Sequence, residues 1–155
     1  MTRLAPVLLV LLAFAAASCN GDDAPSQEEY AEQANEICRE AKQSLENVAE
    51  GADGPEDIVE AIDELIEESR DTVAELGDLE RPEGEAGATA EQFVDATRAE
   101  IHDEGIPALE RLRGAVESED QGAIQEAAVR LQGIDSSAST RAARALGAND
   151  CAQER

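Results

Sequence analysis

Four runs of Ala, Leu, Ile and Val recur at three- and four-residue spacing, bounded by Gly or Pro, and they confine the chain to helices packed on helices. The first stripe is Tyr30, Ala34, Ile37, Cys38, Ala41, Leu45 and Val48. A Ser26-x-x-Glu29 capping box opens it, and Gly51 stops it just after Glu50. After the Asp53-Gly54-Pro55 turn, Ile58, Ile62, Leu65, Ile66, Ser69, Val73 and Leu76 trace a second helix ending near Gly77. Residues 78–87 carry Pro82, Gly84 and Gly87 and read as a loop that turns helical toward its end. Ala90, Phe93, Thr97, Ile101, Gly105, Ala108, Leu109, Leu112, Ala115 and Val116 make the third stripe. It stays in phase across Gly105-Ile106-Pro107, which predicts one long helix kinked near Pro107, the kink offering a hinge or a small pocket. A Ser118-x-x-Gln121 capping box opens the fourth stripe, Ile124, Ala128, Leu131, Asp135, Ala138, Ala142 and Leu146, imperfect at residues 133–135 and stopped by Gly147. The expected fold is an all-α, up-down-up-down four-helix bundle over residues 26–155, a length suited to one domain.

Charge bears on both order and partners. The chain carries a formal net charge of -24, and beyond residue 18 its only aromatic residues are Tyr30 and Phe93. Such a composition also suits a disordered chain, but sustained periodicity with caps at the right places favours a folded, alanine-rich core. The same field repels nucleic acid and anionic lipid headgroups.

Residues 1–18 have the layout of a cleaved export signal: Arg3, an apolar run from Leu4 to Ala17 broken only by Pro6, then small residues. About 14 apolar residues rising ~1.5 Å each reach ~21 Å, short of a ~30 Å hydrocarbon core, so a membrane-spanning helix is disfavoured. Ala15-Ala16-Ala17 suits ordinary signal peptidase and a secreted product. Ala16-Ala17-Ser18-Cys19 resembles the lipobox of bacterial lipoproteins, with Ala16 where Leu is commonest. That resemblance implies a lipid on Cys19, a tether over residues 19–25, and a domain held at the outer face of the cell membrane. The chain has three cysteines, Cys19, Cys38 and Cys151, an odd number for an exported protein. With Cys19 lipidated, Cys38 and Cys151 are left to pair in an oxidising compartment; two unrelated buried thiols are the alternative. In an up-down bundle the tail after helix four arrives beside the first half of helix one, so topology and disulfide support each other. Tyr30, Asn35-Glu36-Ile37-Cys38 and Ala145-Leu146-Gly147 followed by Cys151 make the chain similar to small cell-envelope lipoproteins of high-G+C Gram-positive bacteria, a resemblance that implies no activity.

Catalytic constellations are missing. His102 is the sole histidine, which rules out a di-iron bundle site and, with two cysteines reserved, a zinc site. Ser136-Ser137-Ala138-Ser139-Thr140 offers hydroxyls with nothing to fix a base beside them, and reads as a polar face of small residues. No enzyme activity, cofactor or metal is expected. The unusual feature is where the charge lies. Acids outnumber bases 23 to 4 over residues 19–85, 9 to 3 over 86–120, and 4 to 4 over 121–155. Helix two holds six like-charge i,i+4 pairs: Glu56/Glu60, Glu60/Glu64, Asp63/Glu67, Glu64/Glu68, Glu67/Asp71 and Asp71/Glu75. At about 0.2–0.5 kcal/mol each they cost ~1–3 kcal/mol. A basic envelope partner, bound Ca²⁺ or Mg²⁺, or screening by salt would offset this, and Glu60, Glu64, Glu67, Glu68 and Asp71 are the candidate binding residues. Diffuse cation binding is all the sequence allows, because no D-x-D-x-D-G loop occurs.

Overall fold

The computed structural model describes residues 24–50 and 54–152. Residues 1–18, expected to be an export signal, and Cys19 lie outside the described residues. The capping box at Ser26 forms as its spacing requires: the Ser26 N–H donates to Glu29 Oε2 at 2.8 Å, and the Glu29 N–H donates to Ser26 Oγ at 3.2 Å. It starts α1 (Gln27–Glu50), and Pro55 at a first helical position starts α2 (Pro55–Asp78). The expected loop is shorter than its glycines suggest. Buried Pro82 precedes α3 (Gly84–Ala99), which begins at Gly84 in a left-handed conformation (φ 66°).

The long third helix is interrupted where proline demands it. A π-helical turn (Glu100–Gly105) joins α3 to α4 (Ile106–Glu117), and the Ile106 N–H donates to Ile101 O, five residues back. Proline has no N–H and its ring crowds the carbonyl four residues earlier, so one widened turn just before Pro107 relieves the crowding while the helix continues.

The fourth helix is two. α5 (Gln121–Gln132) and α6 (Ser137–Leu146) are separated at residues 133–136, where the stripe is imperfect. The expected capping box at Ser118 does not form: Ser118 is the C-cap of α4, and Glu119 turns the chain at φ 54°. Asp120 then caps α5, its Oδ1 accepting the N–H groups of Gly122 and Ala123 at 3.0 Å each. Two capping signals overlap in Ser118-Glu119-Asp120-Gln121, and the carboxylate adjoining the helix prevails.

Among the described residues every element is helical, and the bundle holds two cores. In the first, Tyr30 and Ala34 of α1 pack with Leu76 of α2, Phe93 and Val94 of α3, and Leu146 of α6. The second joins Ile62 and Ile66 of α2 to Ile106 and Val116 of α4, with Ile124 of α5 against them. Among the described side chains, the latter half of α1 adds none to either core. Leu45, expected inside, is 49% exposed, and Ile58, at the start of α2, is 37% exposed.

Cys38 and Cys151 form a disulfide across 113 residues of chain. Gly147 ends α6 in the left-handed conformation (φ 90°), with the Ala148 N–H donating to Ala143 O at 2.9 Å and the Gly147 N–H to Arg144 O at 3.2 Å. The tail then runs into a 3-10 turn (Asn149–Cys151) on α1. Its docking is polar as well as covalent. The Asp150 N–H donates to Asn35 Oδ1 at 2.7 Å, Arg39 pairs with Asp150 at 3.1 Å, and Gln27 Nε2 donates to the carbonyls of Ala145 and Leu146 at 3.1 Å.

Candidate functional site

At about 100° per residue, Glu60, Glu64, Glu67, Glu68 and Asp71 fall within an arc of roughly 100° on α2, opposite the face that buries Ile62, Ile66, Val73 and Leu76. Helical geometry thus unites the five acids on one side. Four are exposed and Glu68 is half-buried, and none of the five side chains has an ion pair or hydrogen bond among the described residues. The nearest compensation is beside the stripe: Arg113 of α4 lies 2.9 Å from Asp63 and 3.6 Å from Glu117. Among the described residues, no three His, Cys, Asp or Glu side chains converge on a point that would hold a metal ion. The stripe is an extended field of charge, not a coordination cage.

Two of the clefts among the described residues border α2 or the π-helical turn. One, about 740 Å³, lies where the π-helical turn faces the break between α5 and α6, lined by Glu100, Ile101, Gly105, Leu131, Ile134 and Asp135. Its carboxylates already have structural tasks. Buried Ser139 donates from Oγ to Glu100 Oε2 at 2.6 Å, and Asp135 Oδ1 accepts the Ser137 N–H at 3.0 Å. Ser136 and Ser139, expected on a polar face, are buried, and Ser139 ties α6 to the π-helical turn. His102 is exposed on that same turn.

The other cleft, about 680 Å³, is at the tip of the bundle, between the first turn of α2 and the last turn of α4. Pro55, Val59 and Val116 give it an apolar floor, while Glu56, Asp57, Glu117 and Glu119 stand around it. Sequence spacing could not reveal this site, because its halves lie some sixty residues apart and meet only through α2–α4 packing. A trace of it was present in Glu117, an acid at a helix C-terminus where the helix dipole disfavours it.

No protein-family model, curated protein or solved structure matches the chain. Fold and surface alone define its class, an all-helical bundle closed by a disulfide and bearing an acidic face.

Proposed function

We propose that the protein is an extracytoplasmic lipoprotein, anchored through lipid on Cys19, whose acidic α2 face binds a basic partner of the cell envelope. The observation that carries this reading is the exposed acidic stripe without internal counter-charges. Unpaired like charges weaken the helix that holds them, so a partner that neutralises them recovers free energy on binding. The disulfide supports export, since such bonds persist in oxidising compartments. The order in which helix ends meet in the two cores supports the up-down-up-down arrangement, which sets the start of α1 and the end of α6 at the tethered end. Binding rather than catalysis is the role.

A photo-crosslinker placed at Glu64 in cells should yield an adduct with a basic envelope protein. The combined Glu60→Lys, Glu67→Lys and Asp71→Lys substitutions should abolish it. An adduct indifferent to these reversals, or none at all, would overturn the reading. For the anchor, Cys19→Ala should release the protein from membranes; continued partitioning would refute the lipid assignment. A second reading, small-ligand or divalent-cation binding, has the 740 Å³ cleft in its favour. Melting in CaCl₂ above that in NaCl at matched ionic strength would support it, and equal melting would reject cation binding.

A further inference from the structure

Resting on the basic-partner reading, we infer that the tip cleft between α2 and α4 is the anchoring point for that partner. The occupant is a basic protein segment with one large apolar side chain, which enters over Val59 and Val116 while its cations lie along α2.

Three observations converge. Glu56 and Asp57 lie on the same helical arc as Glu60, Glu64, Glu67, Glu68 and Asp71, so the acidic stripe runs without interruption into the cleft. Pro55, Val59 and Val116 give the cleft an apolar patch where the stripe is wholly charged, the pattern of an interface core within a charged rim. Among the described residues its charge is one-sided: no Lys or Arg lines it, and of its four acids only Glu117 has a cationic neighbour, Arg113 at 3.6 Å. Helix dipoles explain half of this, since Glu56 and Asp57 occupy the first turn of α2, where negative charge is favoured. They do not explain Glu117 in the last turn of α4, where it is disfavoured, while Glu119 lies between that end and the start of α5. A cationic segment with an apolar anchor complements both features. The stripe speeds and orients its approach, and the cleft fixes its register.

The test uses the purified full chain and two fluorescent peptides, one with Leu between Arg residues and a twin with Ala in place of Leu. At low salt the Leu peptide should bind more tightly by about threefold or more, since each buried CH₂ is worth ~0.8 kcal/mol. Neutralising the tip (Glu56→Gln, Asp57→Asn, Glu119→Gln) should weaken the Leu peptide about tenfold and remove its advantage over the twin. Neutralising the stripe (Glu64→Gln, Glu67→Gln, Glu68→Gln) should weaken both peptides alike and preserve the ratio. Equal binding of the two peptides to the unaltered protein, or equal effects of tip and stripe variants, would overturn the tip assignment and leave the basic-partner reading standing. No binding of either peptide would overturn both. All six substituted residues are outside the two cores, and matched thermal melts confirm that each variant is folded.

Discussion

Tyr30 is the largest fully buried side chain of the first core, and its hydroxyl has no hydrogen-bond partner among the described residues. Burying an unpaired hydroxyl costs ~1–3 kcal/mol, so Tyr30→Phe should raise the melting temperature; a fall would show that the hydroxyl is satisfied in solution. Burial also raises the phenol pKa above its ordinary value near 10, with Arg81 opposing the shift. The neutral phenol is therefore the form the fold favours. Its contribution is complete below the unfolded value and is lost as pH rises through the folded one, so alkaline unfolding should move to higher pH in Tyr30→Phe. The opposite sign holds for Glu29, whose pKa is lowered by the Ser26 backbone N–H and then by the Ser26 hydroxyl. That stability is present above the ordinary carboxylate range and is lost as pH falls through the lowered value. Ser26→Ala should reduce the acid-range component, since the backbone N–H remains, and Glu29→Gln should abolish it, which a pH series of melts would detect. The Ser26 cap was legible in four residues because nothing else competes there. At Ser118 the same spacing misled, because Asp120 is the better-placed acceptor once Glu119 adopts a left-handed backbone.

At the scale of elements, the interruption near Pro107 was legible because proline's missing N–H and ring clash are local chemistry. Its form, a π-helical turn, was not, since kinking, breaking and widening all relieve the same clash. The break in the fourth helix left only a fault in the stripe, and tertiary contacts decide it: buried Ser139 bonds Glu100 across 39 positions. Ser139→Ala would leave Glu100 without that donor and should destabilise the bundle by about 1–2 kcal/mol, read as a lower denaturant midpoint. Gly147 needs its freedom at φ 90° to end α6 and send the tail to α1. Gly147→Ala should cost ~1–2 kcal/mol, although a methyl group there would meet only Ala31 Cβ at 3.8 Å. An unchanged midpoint would mean that the α6 end is held by the tail and not by its turn.

For the molecule as a whole, the disulfide and the acidic face were both readable from composition: three cysteines, one of them claimed by the lipobox resemblance, and acids crowded into the first half of the chain. The tip cleft was not, because it exists only after residues near positions 56 and 117 meet. The polar clamp of Asn35 and Arg39 on the tail, with Gln27 on the end of α6, means that closure does not depend on the covalent bond alone. Because the bond acts by restricting the unfolded chain, reduction with the tail still clamped on α1 should lower stability by close to the ~4–5 kcal/mol that chain entropy assigns to so long a loop, and a much smaller loss would show that the clamp fails to hold the tail. The claim on which function turns is that α2 keeps its acidic stripe for a partner despite a cost in stability. Glu60→Gln, Glu64→Gln, Glu67→Gln and Asp71→Asn together remove all six like-charge pairs. Thermal unfolding of this variant at low salt, paired with crosslinking from Glu68, tests the claim directly. A gain of ~1–3 kcal/mol together with loss of the adduct is expected; unchanged stability with the adduct retained would contradict it.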